Sequence, residues 1–96
     1  GIGSLFIDDK KRVAYVDDKP VELTYKEYEL LKYLALNRGI VLTRDNIMDR
    51  IWSTDYEGES RTLDVHIKTL RHKLGTAGNY IKTVRNVGYF MDDEAK

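Results

Sequence analysis

The chain has 96 residues, with 16 Lys/Arg balanced by 16 Asp/Glu for a formal net charge of zero. That length suits one domain around one core, and 42% hydrophobic with 33% charged residues is not the composition of a disordered or low-complexity chain. There is no cysteine, which excludes disulfides and thiolate metal sites; no apolar run approaches the roughly 20 residues of a membrane span and none reads as a signal peptide, so a cytoplasmic protein without membrane contact is expected.

Gly1-Ile2-Gly3-Ser4 reads as a cloning scar or linker, residues 5–91 as the folded domain and 92–96 as a tail. Leu5-Phe6-Ile7 and Arg12-Val13-Ala14-Tyr15-Val16 read as short strands, with a turn at Asp17-Asp18-Lys19 and a further extended piece at Pro20–Leu23. Pro20 donates no ladder hydrogen bond and belongs at a strand start or sheet edge. Thr24-Tyr25-Lys26-Glu27 is a capping box that opens a helix running to about Asn37, with Tyr28, Leu31, Leu34 and Ala35 on one face and Gly39 to end it. Ile40-Val41-Leu42 is a short extended piece, and Thr43 caps a second helix carrying Ile47, Met48, Ile51 and Trp52 at helical spacing. A loop at Ser53–Glu59 follows. Ser60 caps a third helix, Arg61 to Leu74, which Gly75 terminates. After a loop with Gly78, Tyr80–Arg85 and Tyr89–Met91 form a hairpin around Asn86-Val87-Gly88. Small sheet, three helices and hairpin, in that order, is the α+β plan of a winged helix-turn-helix.

The charge is unevenly spread. Residues 61–85 carry Arg61, Lys68, Arg71, Lys73, Lys82 and Arg85 against Asp64 alone, while the stretches on either side are net acidic. A basic segment within a neutral chain is a footprint for a polyanion. On the third helix, Leu63, Ile67, Leu70 and Leu74 form an apolar stripe about 60° wide, which is core. The opposite face presents Arg61, Val65, Lys68, Thr69 and His72, with Arg71 and Asp64 on one flank and Thr62, His66 and Lys73 on the other. Lysine and arginine can bond guanine edges or phosphates, threonine can bond either, and an outward valine can meet a thymine methyl. The major groove admits one α-helix, so a helix with one buried stripe and one such face suits it. Lys82, Thr83 and Arg85 near the hairpin tip would suit a narrow minor groove.

Four stretches together resemble the C-terminal DNA-binding effector domain of OmpR/PhoB-type two-component response regulators. They are Leu23–Leu31, Val41–Arg44, Arg61–Leu74 and Tyr80–Tyr89, and the resemblance extends from Leu5 to Phe90. It implies a winged helix preceded by a four-stranded antiparallel sheet, with the third helix in the major groove and the wing at the minor groove. Under it, Arg61, Thr62, His66 and Arg71 hold phosphates; Val65, Lys68 and Thr69 face bases; and Arg85, with Thr83 beside it, reaches the minor groove. His72 also belongs to the expected DNA-binding surface. The loop Ser53, Thr54, Asp55, Tyr56, Glu57, Gly58, Glu59 matches a segment that touches RNA polymerase in activators of this type. The resemblance further implies a receiver domain phosphorylated by a sensor histidine kinase, binding to direct repeats as a homodimer, and a monomeric isolated domain. Asn86 replaces a usual glycine but tolerates positive φ; Phe90 replaces a common basic residue; Thr69 stands where some members carry a base-reading arginine.

Two other readings compete. A winged helix can serve protein contacts alone, which the basic segment and Arg85 argue against, and the same DNA-binding domain can be joined to a regulator without a receiver. An enzyme is not expected. His66 and His72 project about 120° apart, unlike an i, i+4 zinc pair; no glycine-rich phosphate loop or nucleophile elbow is present; and Asp17-Asp18 is turn chemistry. No cofactor or metal is expected.

Overall fold

The structure is a computed structural model that describes residues 3–52 and 61–92, and of Arg61 the backbone only. Three strands open it: β1 (Leu5–Asp8), β2 (Val13–Val16) and β3 (Lys19–Val21), an antiparallel meander in that spatial order. Leu5 lies opposite Val16 and Ala14 opposite Val21. Asp17 and Asp18, with φ of 51° and 68°, make the two-residue turn between β2 and β3, the backbone sign that matches strand twist in a type I′ hairpin. Pro20 sits in β3 at the sheet edge, where its missing N–H breaks no ladder bond.

The expected four-stranded sheet is therefore corrected to three strands among the described residues. Only Glu22 and Leu23 separate β3 from the helix cap at Thr24, which leaves no length for another strand. The later extended piece, β4 (Leu42–Thr43), pairs elsewhere: it joins β6 in a second sheet of order β4-β6-β5.

Helix α1 (Tyr25–Leu36) starts at a complete capping box. The Glu27 amide donates to Thr24 Oγ1 at 3.2 Å and the Thr24 amide donates to Glu27 Oε1 at 2.9 Å, satisfying two donors that the helix start would otherwise leave open. Gly39, with φ of 82°, turns the chain out of the helix, and its amide donates to the Met91 carbonyl at 2.7 Å. Helix α2 (Arg44–Trp52) begins where Thr43 Oγ1 accepts from the Asn46 amide at 3.1 Å. Helix α3 (Arg61–Leu74) is followed by Gly75 at φ 61° and a 3₁₀ turn, Gly75–Tyr80. The hairpin β5 (Ile81–Val84) and β6 (Gly88–Met91) is the wing, with Asn86 at its tip at φ 65°.

One core unites these parts. Leu5 and Ala14 of the first sheet, Leu30, Leu31 and Leu34 of α1, Ile47 and Ile51 of α2, Leu63, Ile67, Leu70 and Leu74 of α3, and Ile81 and Met91 of the wing form a single buried cluster. Burying each such Leu or Ile stabilises by about 1.5–3 kcal/mol relative to leaving it exposed. The leucine stripe of α3 is the part that matters for function. It anchors the helix inward and so determines which face is left outside.

Candidate nucleic-acid interface

The outer face of α3 is open. Val65 is 56% exposed although it is apolar; Lys68 and His72 are exposed and Thr69 is half-buried. Arg61 heads the helix, with its side chain outside the described residues. Thr62 is half-buried, and its carbonyl accepts from His66 Nδ1 at 2.9 Å. A carbonyl can only accept, so Nδ1 carries the ring proton and Nε2 is the ring's remaining polar atom. The same imidazole stands edge-on to Trp52, ring centroids 4.9 Å apart, so His66 packs α3 against α2 as well as lying beside the outer face.

Arg71 turns toward the wing. Its Nε and Nη2 donate to the Ile81 carbonyl at 3.1 and 2.8 Å, and Nη2 also donates to Thr83 Oγ1 at 2.7 Å. The guanidinium carbon lies 5.6 Å from the centroid of the Tyr89 ring. Gly78 packs directly on the Arg71 backbone, where an added Cβ would come within 2.4 Å of the carbonyl oxygen. Thr83 thus accepts from Arg71 on β5 while remaining exposed, and Lys82 and Arg85 are exposed further along the wing.

The charges within the basic segment fall into two groups. Lys73 is committed inward: its Nζ lies 2.7 Å from Glu27 Oε1, a carboxylate only 5% exposed. Burial works against ionisation of Glu27, but bonds from Lys73 and from the Thr24 amide outweigh it and hold the carboxyl below its ordinary pKa. Asp64, the single acid of the segment, is gripped by Arg44, whose Nη1 and Nη2 donate to Oδ1 and Oδ2 at 2.7 and 2.8 Å. That fork lowers the Asp64 pKa, although partial burial opposes it. The Tyr89 hydroxyl donates to the same Oδ1, and burial, followed by this bond, raises the tyrosine pKa. Lys68, Lys82 and Arg85, by contrast, carry no ion pair among the described residues. The outward cations are the uncommitted ones, and the acid is neutralised by an arginine from α2. The face can therefore attract phosphate without a competing carboxylate.

Arg44, Asp64 and Tyr89 form a cluster that the sequence alone does not bring together. Each lies inside one of the quoted stretches, but they come from α2, α3 and β6, and no local pattern announces that they meet. The Arg44 amide also donates to the Val87 carbonyl at 3.1 Å, and the β4 pairing of Thr43 with Gly88 lies beside it. The two helices of the helix-turn-helix and the turn of the wing therefore join at one point. The loop Ser53–Glu59 lies outside the described residues.

An outward helix of this chemistry, anchored by a leucine stripe and braced against a β-hairpin, defines a winged-helix DNA-binding domain of a transcription regulator. Residues 18–91 match the family described as transcriptional regulatory protein, C terminal. The chain belongs to this family, the OmpR/PhoB-type effector domains. It is 42% identical over 93 residues to the sensory transduction protein RegX3 of Mycolicibacterium smegmatis, covering 94% of this chain and 41% of that protein. It is 42% identical over 95 residues to the alkaline phosphatase synthesis transcriptional regulatory protein PhoP of Bacillus subtilis, covering 96% of this chain and 40% of that one. The chain thus spans about two-fifths of these relatives. Among solved structures it resembles the Klebsiella pneumoniae RstA DNA-binding domain in complex with the RstA box, at a TM-score of 0.85 and 34% identity, covering 97% of this chain and 95% of that one. It also resembles the AdeR DNA-binding domain in complex with an intercistronic region, at a TM-score of 0.84 and 28% identity, covering 97% of both chains. Among the described residues no helix is long and apolar enough to cross a membrane.

Proposed function

We propose that this domain reads double-stranded DNA with α3 in the major groove and the wing at the minor groove, as the output half of a phosphorylation-controlled regulator in the bacterial cytoplasm. The observation that carries the reading is the outer face of α3, where Val65, Lys68 and His72 stay outside while the whole leucine stripe is buried. Val65, Lys68 and Thr69 face base edges. Arg61, Thr62, His66 and Arg71 lie against the phosphate backbone, with His72 on the same DNA-facing surface; Arg71 does so through Nη1, the guanidinium nitrogen outside its bonds to the wing. Arg85, with Thr83 beside it, enters the minor groove. The DNA complexes solved for similar domains support this arrangement.

The same reading extends to the whole regulator. A receiver domain phosphorylated by a sensor histidine kinase controls pairing on direct repeats, and Ser53–Glu59 meets RNA polymerase. The isolated domain is monomeric, and the reading assigns it no catalysis.

The test is selection of duplexes from a random-sequence pool, followed by affinity measurement against salt. Arg61→Ala should weaken all sequences about equally and reduce the slope of log affinity on log salt by roughly 0.9. Lys68→Ala should instead change which base is preferred, with about 1–3 kcal/mol of discrimination at stake. Salt-insensitive binding, or both variants binding like the parent, overturns the reading.

A further inference from the structure

Asp64 and Arg71 lie about two helical turns apart, so they project from the same flank of α3. Both reach Tyr89. Asp64 accepts from its hydroxyl, and the Arg71 guanidinium lies 5.6 Å from its ring centroid. Arg71 also chelates the Ile81 carbonyl and bonds Thr83, the residue paired with Tyr89 across the hairpin. Asp64 is held in turn by the Arg44 fork, and the Arg44 amide binds the wing at Val87. These bonds close a ring that passes from α3 to β6, through the wing turn to α2, and back to α3.

Core packing of Ile81 and Met91 holds the open end of the wing, but beyond this ring its turn end is tied to the helix-turn-helix by two strand pairs, Leu42 with Tyr89 and Thr43 with Gly88. So short a pairing can hinge. The two grooves of DNA, however, present their edges at a fixed spacing. We infer that Tyr89, together with Asp64 and Arg71, is a positioning residue that fixes the wing relative to α3 and so couples the minor-groove contact of Arg85 to the major-groove contact of Lys68. The inference rests on the DNA-binding reading above and adds to it that the two contacts are not energetically independent. Tyr89 touches neither groove for this purpose; it acts through the elements it joins.

A double-mutant cycle in DNA affinity tests it, using the duplex recovered from the random-sequence pool, at a temperature where melting curves show every variant folded. Arg85→Ala is measured in the parent, in Tyr89→Phe, which keeps the ring and loses the hydroxyl, and in Asp64→Ala, which removes the acceptor, as a second route to the same loss. In the parent, Arg85→Ala should weaken binding at least about tenfold. In either second background the same change should weaken it less than about threefold, because a wing that has lost the Tyr89–Asp64 tie, though still bonded through Arg71 and the Arg44 amide, no longer holds Arg85 in register. A purely structural role would lower the melting temperature and leave the Arg85 penalty unchanged, and equal penalties in all three backgrounds overturn the inference. If Arg85→Ala costs nothing in the parent, the minor-groove contact itself is wrong and the inference falls with it. If DNA binding persists in that case, the major-groove reading of α3 stands apart from it.

Discussion

At Gly88 an added Cβ would lie 1.9 Å from the Leu42 carbonyl oxygen and 2.9 Å from its carbon. Both are backbone atoms of β4, so no side-chain rotation relieves the contact. Gly88→Ala must push β4 and β6 apart by about an ångström, which breaks the pairing of Thr43 with Gly88 and strains that of Leu42 with Tyr89. Overpacking costs about 1–3 kcal/mol, and each lost ladder hydrogen bond about 1 kcal/mol more. A total of about 3 kcal/mol corresponds to a fall in Tm of roughly 12–24 °C for a domain of this size. Thermal unfolding by circular dichroism, with urea unfolding as a check on ΔG, measures it. Gly75→Ala is the control: its φ is 61° but nothing lies within 4 Å of the added Cβ, so only left-handed strain of about 1–2 kcal/mol applies. A Gly88→Ala loss no larger than that of Gly75→Ala would refute the steric reasoning and the close approach of β4 to the wing.

Other expectations concern the core and the titrating groups. Ile67→Ala removes a side chain only 1% exposed from the middle of the α3 stripe and should cost about 2–5 kcal/mol in urea unfolding. Because Glu27 has a lowered pKa in the folded state, its stabilising contribution is present above the ordinary value of 4.5 and is lost as pH falls through the lower folded value. Urea unfolding at about pH 7 and pH 3 should show Glu27→Gln less stable at neutrality and less sensitive to acid than the parent. The Tyr28 pKa is pushed up to about 12 by burial, followed by its hydrogen bond to Asp9. Folding therefore favours its neutral form, and that contribution is full below about pH 10 and lost as pH rises toward 12. Ultraviolet titration of the parent against Tyr28→Phe should show the missing phenol to be a late-ionising one.

The helices were legible because their signals are local. The Thr24–Glu27 box, the Thr43 cap, Gly75 and the spacing of Leu63, Ile67, Leu70 and Leu74 each lie within a few residues of what they specify, and each is realised. The tip of the wing was legible for the same reason, since Asn86 adopts the positive φ that its identity tolerates. Sheet partnership was not local. Ile40-Val41-Leu42 reads as extended, but nothing in it says that Leu42 pairs with Tyr89 in the wing, and the expected fourth strand of the first sheet does not form among the described residues. The side-chain ring was invisible for a related reason. The sequence places Asp64 and Arg71 on one flank of α3, but not that the flank faces the wing, and Lys73 gives no sign that its partner is the buried capping glutamate. The resemblance implies a phosphate-holding role for His66, and no local signal shows that the ring also packs against Trp52.

The claim that α3 reads base edges through its outward face is tested most directly by nuclear magnetic resonance of the labelled domain titrated with the selected duplex. The Val65 methyls, Lys68 and Thr69 should show the largest shifts, followed by Arg85 and its neighbours in the wing, with Leu5 to Val21 unmoved. Shifts concentrated on the first sheet, with Val65, Lys68 and Thr69 unchanged at saturation, would contradict it.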